Sequence, residues 1–311
     1  MSVSLVVSQA RQMCSERQSV ITDEKTAAAE IRDGMTVAIG GFINSGTPMC
    51  LIRQIIKNGV RDLTVVGPAS SGLGIDLMIG AGCVKRIVTA YMGAEVYCPV
   101  APFFRAMAED GQLDVWECDE GHYYSALRAA ALQLPFLPWR TGVGTSYPEV
   151  NPNLKLFTDP IKGETLIAVP AIQPDIAIIH AAHADAYGNV QHIGTGFGDR
   201  ALRKAARKTI VEVEKVVSNE EIRKNPQATS LDGVSAVVRA PFGAHPYASP
   251  GYYLEDAEHI REYVAAASPF VKTRDRSLFD QYLDKYVYGP DEHADYLELI
   301  GIKRLISLHE F

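Results

Sequence analysis

The chain has 311 residues, 47% of them apolar, and is therefore long enough to bury a sizeable core in one large or two modest domains. It has 30 basic and 37 acidic residues, a formal net charge of −7 and no long basic run, which argues against nucleic acid as the main partner. No apolar stretch approaches the length of a membrane span, and residues 1–20 lack the apolar core of a secretory signal.

Predicted strands and helices alternate over the first half of the chain. The helices are expected at about Thr22–Arg32, Pro48–Lys57, Leu73–Ala81, Pro102–Glu109 and Gly121–Gln133. The strands are expected at Val37–Ile39, Leu63–Val66, Arg86–Thr89 and Leu113–Trp116. Such alternation with short links predicts an α/β fold with an open, mostly parallel sheet and helices on both faces. The loops that follow the strands then meet at one edge, where such sheets bind ligands.

The second half of the chain is less regular. Residues 139–163 carry three prolines and predict a long surface loop or part of an interface. Further strands are expected at Thr165–Val169, Ile176–Ile179, Thr209–Val213 and Val234–Val238, with a turn at Ala184–Asn189, a basic-faced helix at Ala201–Lys208 and a helical tail from about Leu254.

A glycine-rich turn follows the first predicted strand. Gly40, Gly41 and Gly46 allow backbone angles that other residues avoid and let a ligand approach the main chain closely. Thr47 is the expected N-cap of the next helix, and Pro48 fits its first position. A helix start of this kind presents free N–H groups and a positive dipole end, which suit an anion or an oxyanion. A tight βα turn without a ligand is the alternative.

Two acidic residues and two serines are further candidates for chemistry. Glu120, next to Asp119, precedes an apolar helix, and would be a general base if a cleft desolvated it. The alternative is a solvated acidic pair that favours the helix N-terminus. Ser70 and Ser71 lie in a turn between glycines and either donate hydrogen bonds to a ligand or only form the turn. No P-loop, dinucleotide-binding glycine motif or nucleophile elbow is present.

The histidines and cysteines favour structural roles. His180, His183 and His192 are close in sequence, but His180 ends an apolar strand, so helical spacing of zinc ligands does not apply and no metal is expected. His245 lies in a stiff loop beside Pro246, where it is expected to hold the loop. The five scattered cysteines (Cys14, Cys50, Cys83, Cys98 and Cys118) favour free thiols in a reducing cytoplasm.

Asp33–Pro48 resembles the signature of family I CoA-transferase α subunits at every fixed position. The signature has Asp-Gly, an apolar run, Gly-Gly-Phe and, after three residues, Gly-x-Pro. Later segments, such as 174–181, 218–223 and 240–246, are most similar to glutaconate CoA-transferase α subunits. The resemblance runs from about Thr22, so it indicates an extension over residues 1–21 and one domain of the CoA-transferase/NagB-like fold over residues 22–311.

This resemblance implies a β subunit of similar fold, an acyl-CoA and an organic acid as substrates, and no bound cofactor. In such transferases a glutamate of a Glu-Asn-Gly motif in the β half attacks the acyl-CoA, and no Glu-Asn-Gly occurs in this chain. The resemblance implies that the turn holds the oxyanion or the carboxylate and that the serine turn helps line the site. Its expected substrate-binding residues are Gly40, Gly41, Phe42, Asn44, Ser45, Gly46, Ser70 and Ser71.

Glu120 departs from the transferase pattern. Related transferases carry a glutamine just before this helix, whereas Asp119-Glu120-Gly121 is similar to the α subunit of the CoA-ester hydrolases that open a steroid-derived ring. In those hydrolases this glutamate is catalytic. Three interpretations therefore stay open: a subunit of a transferase for a dicarboxylic or related acid, a hydrolase subunit, and a silent subunit that only binds acyl-CoA.

Overall fold

The computed structural model describes residues 18–309 and contains a long central sheet of eight parallel strands. Their bounds are β1 Ile21–Thr22, β2 Thr36–Ile39, β3 Leu63–Val66, β5 Val84–Val88, β7 Asp114–Trp116, β11 Ile176–Ala184, β13 Lys208–Val216 and β15 Ala236–Arg239. Across the sheet they lie in the order β1-β15-β13-β11-β2-β3-β5-β7. Two short antiparallel strands, β12 Val190–Gln191 and β14 Thr229–Leu231, widen the sheet at the carboxyl end of β11. β12 pairs with β11, and β14 pairs with β12. The predicted fold class is confirmed.

Two smaller sheets and the helices cover this sheet. β4 Ser70–Ser71 pairs with β6 Tyr91–Met92, and β8 Phe136–Trp139, β10 Thr165–Pro170 and β9 Lys155–Thr158 form an antiparallel sheet. The helices are α1 Glu24–Ala28, α2 Met49–Lys57, α3 Leu73–Gly80, α4 Pro102–Glu109, α5 Glu120–Ala131, α6 Tyr147–Val150, α7 Asp199–Ala205, α8 Asn219–Lys224, α9 Ala257–Ala267, α10 Pro269–Thr273, α11 Ser277–Leu283, α12 His293–Ile300 and α13 Ile302–Ser307. A 3₁₀ turn, Pro226–Ala228, and a π-helical turn, Asp284–Tyr288, complete the elements.

Each face of the central sheet carries its own hydrophobic core. Side chains alternate between the two faces along a strand, so Val37 and Ile39 enter one core and Ala38 enters the other. The first core packs under α1–α4 and the C-terminal helices, and the second packs under α5, α7 and β10. The central strands are buried on both faces, which explains their continuous apolar runs.

The strand order reverses between β2 and β11. From β2 the chain adds β3, β5 and β7 on one side, and it returns to add β11, β13 and β15 on the other. Open parallel sheets bind ligands in the crevice beyond the carboxyl ends of the strands at such a reversal. The glycine-rich turn follows β2 and therefore lies beside this crevice.

Several predicted boundaries are wrong for local reasons. The first helix begins only at Glu24 because Ile21 and Thr22 pair with β15, so Ile21 belongs to the fold and not to the extension. Pro48 has a ψ of 71°, which makes it the N-cap in place of Thr47. Residues 139–163 are not all loop, since they include α6 and β9. Cys14 lies outside the described residues, and the other four cysteines are free.

Candidate functional site

Ser70 and Glu120 meet at the carboxyl edge of the sheet. Ser70 follows β3, Glu120 starts α5 after β7, and the Ser70 hydroxyl donates to Glu120 Oε1 over 3.3 Å. Asp119 is the N-cap, because its carboxylate accepts the His122 N–H at 2.7 Å. Glu120 is therefore free of the capping role and its side chain is exposed on the chain described here. The structure thus joins two candidates that sequence reasoning had singled out separately.

The glycine turn packs tightly against the serine turn. The Ile43 N–H donates to the Ser70 carbonyl over 3.0 Å, and a Cβ placed on Gly72 would lie only 2.0 Å from the Ile43 carbonyl oxygen. Ser71 lies behind Ser70 with no exposed surface, and its hydroxyl donates to the Pro68 carbonyl over 3.0 Å. Ser70 is thus the serine that faces the site, and Ser71 holds the turn.

Most N–H groups of the glycine turn already have acceptors within the chain. Phe42 and Ser45 exchange N–H···O=C bonds of 2.8 and 2.9 Å, and Gly46 donates to Ala248 over 2.8 Å. The Gly41 N–H donates to the buried Asp199 carboxylate over 3.1 Å. These four N–H groups are therefore not free to hold an oxyanion, while a ligand contact at the Asn44 N–H stays a prediction. The chain uses them to fix the turn.

Asp199 explains why position 40 is glycine. A Cβ on Gly40 would lie 2.7 Å from Asp199 Oδ1. The other carboxylate oxygen lies 3.0 Å from His192 Nε2, and His192 Nδ1 lies 2.6 Å from the Ser230 hydroxyl. These contacts fill the crevice at the strand reversal and leave a cavity of only about 20 Å³ there.

The N-terminus of α2 is also occupied from within the chain. The Leu51 N–H donates to the Glu212 carboxylate over 2.9 Å, and the Cys50 N–H donates to the Gly243 carbonyl over 3.0 Å. Glu212 is fully buried, and the helix dipole favours its negative charge. The prediction of an anion site for a ligand at this helix start is therefore wrong, because a side chain from β13 already fills it.

His180 neutralises this buried charge. Its Nδ1 lies 3.0 Å from Glu212, and its Nε2 lies 3.1 Å from Glu214. Burial alone would lower the pKa of His180, but the hydrogen bonds to the two carboxylates outweigh burial and raise the pKa to about 9. Burial raises the pKa of Glu212, while His180 opposes that rise. The imidazolium thus stays charged at neutral pH.

The free energy of unfolding should therefore fall as the pH rises from about 6.5 to above 9. The pKa of His180 is about 9 in the folded chain against 6.5 without its partners, so its contribution is complete below pH 6.5 and is lost through pH 9. The loss is on the order of 2 to 3 kcal/mol. Urea unfolding at pH 7 and pH 9.5 measures it, with ring ¹⁵N NMR of His180 as an independent check. An unchanged free energy, or a neutral imidazole at pH 7, would contradict this prediction.

An aromatic rim borders the Ser70–Glu120 pair. Phe42 and Phe197 stack with their ring centroids 5.1 Å apart at 10°, and Phe197 keeps 37% of its surface exposed. Tyr124, one turn after Glu120 on α5, is exposed to the same degree. Among residues 18–309, the buried Asn44 Oδ1 has no hydrogen-bond partner. Phe42, Asn44 and Ser45, three of the eight residues predicted to bind substrate, thus occupy the tip of the turn, and their contact with substrate stays a prediction.

The remaining histidines have structural partners. His183 contacts the Tyr252 hydroxyl at 2.7 Å. His245 is fully buried and lies between Tyr296 (2.7 Å) and Asp256 (3.0 Å), so its predicted loop-holding role agrees with the structure. No group of three or more potential metal ligands occurs within residues 18–309. Over the same range, no helix is long and apolar enough to cross a bilayer.

Comparison with known proteins places the chain in a family. The profile described as Coenzyme A transferase matches residues 21–238. The α chain of glutaconate CoA-transferase from Acidaminococcus fermentans is 34% identical over 307 residues, which cover 93% of this chain and 94% of that one. The chain belongs to the coenzyme A transferase family. Within the family it is similar to the α chains.

Two further comparisons bear on this coenzyme A transferase fold. The crystal structure of glutaconate CoA-transferase from Acidaminococcus fermentans superposes with a TM-score of 0.88 and 32% identity, covering 94% of this chain and 96% of that chain. The IpdA subunit of the cholesterol ring-cleaving hydrolase from Mycobacterium tuberculosis is 35% identical over 281 residues, covering 87% of this chain and 93% of that one. The chain is thus similar both to a CoA-transferase subunit, as the glycine signature predicted, and to a ring-cleaving hydrolase subunit, as Glu120 predicted.

Sequence reasoning missed the buried charges that hold the site. Asp199 carried no signal, because it contacts Gly41 across 158 positions of the sequence. Glu212 and Glu214 alternate with apolar residues in β13, a pattern typical of a half-exposed strand. Only the position of β13 between β11 and β15 shows that these carboxylates point into the protein.

Proposed function

We propose that this chain is the α subunit of a heteromeric family I CoA-transferase. The enzyme moves CoA between an acyl-CoA and an organic acid, of which a dicarboxylic acid is the expected class. The nucleophilic glutamate belongs to a β subunit of similar fold, and this chain contributes the Ser70–Glu120 edge and the aromatic rim.

The observation that carries this proposal is the near-complete superposition on glutaconate CoA-transferase, in which almost all of both chains takes part. The sequence has no Glu-Asn-Gly, so it lacks the motif that would supply the nucleophile. Glu120 is exposed at the strand edge rather than enclosed within this chain. Such an edge fits a site that a second subunit completes.

The reaction assigns a clear task to the residue at position 120. The partner's glutamate attacks the thioester carbonyl, the CoA thiolate leaves, and an acyl–glutamyl anhydride forms. The thiolate then attacks the glutamyl carbonyl and releases the acid, and the acceptor carboxylate repeats these steps in reverse. In this proposal Glu120 lies beside the attacking carboxylate, at the position where related transferases carry a glutamine, and helps to position it. Ser70 fixes the position of Glu120 by its hydrogen bond.

A second candidate is the α subunit of a CoA-thioester hydrolase that cleaves a carbon–carbon bond. The contact between Ser70 and Glu120 favours it, since a serine hydroxyl that donates to a carboxylate oxygen holds the carboxylate in one orientation, as a base requires. The similarity to the ring-cleaving hydrolase subunit supports the same interpretation. In this alternative, Glu120 itself activates water or removes a substrate proton. A silent acyl-CoA-binding subunit is the third candidate.

Covalent trapping on the purified pair tests the proposal. Incubation with an acyl-CoA and then borohydride or hydroxylamine should leave a modified glutamate on the partner subunit, located by peptide mass spectrometry. This chain alone should carry no modification and should not exchange CoA. Exchange by the isolated chain, or hydrolysis by the pair without any trapped glutamate, would contradict the transferase assignment.

A further inference from the structure

An open cleft follows the aromatic rim along α7. It consists of two adjoining depressions of about 410 and 420 Å³ that share Arg200 and Ser230 in their walls. The first is bounded by the glycine-rich loop 193–198, which contains Phe197, the residue that stacks on Phe42. The second is bounded by Lys204 and by β14. We refer to both depressions together as the α7 cleft.

The α7 cleft has a local positive charge in an acidic chain. Arg200 and Lys204 are both exposed on α7, and neither forms an ion pair or a side-chain hydrogen bond with any residue in 18–309. Arg203 lies between them and donates to the carbonyls of Asp232 and Gly233 over 2.8 and 3.0 Å. Asp199, the adjacent acid, is buried and already bonded to Gly41 and His192, and the exposed Asp232 is one acid against the three cations Arg200, Arg203 and Lys204 in the walls. Arg200 and Lys204 are therefore available to an anionic ligand.

The distance from the α7 cleft to Glu120 suits an extended ligand. Glu120 and Tyr124 are one helical turn apart, about 6 Å. The Tyr124 hydroxyl lies 3.2 Å from the position of a Cβ on Gly198, and Arg200 follows two residues later. Added along this path, these segments place Arg200 at most on the order of 20 Å from Glu120. A pantetheine arm has about as many chain atoms as four residues and extends about 15 Å, and the long arginine side chain covers the remainder.

We propose that the α7 cleft binds the phosphate-bearing nucleotide end of the CoA thioester, with Arg200 and Lys204 as the phosphate contacts. This inference rests on the proposed function only in naming CoA as the ligand. Its charge argument is independent: a chain of net charge −7 repels a polyphosphate unless it provides unpaired cations close to the site. Phe197 lines the α7 cleft and stacks on Phe42, which belongs to the aromatic rim beside the Ser70–Glu120 pair.

The double variant Arg200→Gln/Lys204→Gln, assembled with the partner subunit, tests this assignment. The KM for the CoA thioester should rise about 10- to 100-fold with little change in kcat, because two charge-assisted contacts are lost. The KM for the corresponding pantetheine thioester, which has no phosphates, should change less than about twofold. The control Lys272→Gln/Lys303→Gln removes the same charge from exposed positions on α10 and α13. It should leave both KM values unaltered.

Three outcomes would overturn the assignment: no rise in KM for the CoA thioester, an equal rise for both substrates, or an equal rise in the control. Calorimetry with free phospho-ADP, the nucleotide end of CoA, separates this inference from the proposed function. If no thioester is turned over, the proposed function fails. A loss of phospho-ADP binding in Arg200→Gln/Lys204→Gln, but not in the control Lys272→Gln/Lys303→Gln, still supports the α7 cleft as the nucleotide site. Equal binding by both variants rejects it.

Discussion

Glu120→Ala should lower the turnover of the assembled enzyme by about 100-fold, and Glu120→Gln should restore CoA transfer to within about threefold of wild type. In the proposed transferase the side chain at this position helps to orient the glutamate of the β subunit. An amide does so without adding a second negative charge. Alanine leaves a gap beside the nucleophile and leaves the Ser70 hydroxyl without its acceptor. Initial rates of CoA exchange with each variant provide the measurement.

The glutamine variant separates the two candidate activities. A hydrolase that uses Glu120 as its base should lose at least about 100-fold in rate with glutamine as well as with alanine, since an amide cannot accept the proton. Glu117→Gln is the matched control, because Glu117 is an exposed acid three residues earlier in the same loop. Full activity of Glu120→Ala would contradict both candidates and would favour the silent subunit.

Gly72→Ala should destabilise the protein by about 3 kcal/mol or more and lower the rate by about 100-fold. The φ of Gly72 is −102° and its ψ is −175°, so the backbone itself accepts alanine. The obstacle is the Ile43 carbonyl oxygen, 2.0 Å from the added Cβ, which cannot move without separating the two turns. Displacement of the Ile43–Ser70 contact would in turn shift Ser70 away from Glu120. Urea unfolding and steady-state rates measure the two effects.

Gly74→Ala is the control for this substitution. Its Cβ would meet Met49 Sδ at 2.7 Å, which is part of a flexible side chain that can adjust, and would only touch Thr47 Cγ2 at 3.0 Å and Tyr247 Cε2 at 3.4 Å. Alanine inside α3 also gains about 1 kcal/mol of helix propensity over glycine. This variant should therefore stay within about 1 kcal/mol of wild type. Equal losses from both alanines would show that the contact of Gly72 with Ile43 has no special importance.

The regular part of the fold was predictable because local pattern and tertiary environment agree. The run Leu63–Val66 and the helix Pro102–Glu109 occur as predicted, since short apolar runs suit buried parallel strands and spaced apolar residues suit covered helices. Ile21 and Thr22 were missed because a two-residue strand has no pattern of its own and exists only through its pairing with β15. In the small antiparallel sheet β10 was predicted, but β8 was missed because Phe136–Trp139 contains a proline, which argues against a strand.

The candidate site was predictable in location but not in mechanism. The topology of a parallel sheet brings the ends of β3 and β7 to one edge, so Ser70 and Glu120 meet. The glycines indicated a ligand only because their actual neighbours were unknown. A glycine that makes room for a substrate and a glycine that makes room for a carboxylate of the same chain look identical in the sequence. Only the position of Asp199 in the structure shows that Gly40 is of the second kind.

The contact between Asp199 and Gly40 also makes these two distant positions depend on each other. A Cβ on residue 40 would lie 2.7 Å from Asp199 Oδ1, so any side chain there has to displace a buried carboxylate that is bonded to Gly41 and His192. An alanine at position 40 should therefore fit better in a chain that carries a smaller residue at position 199.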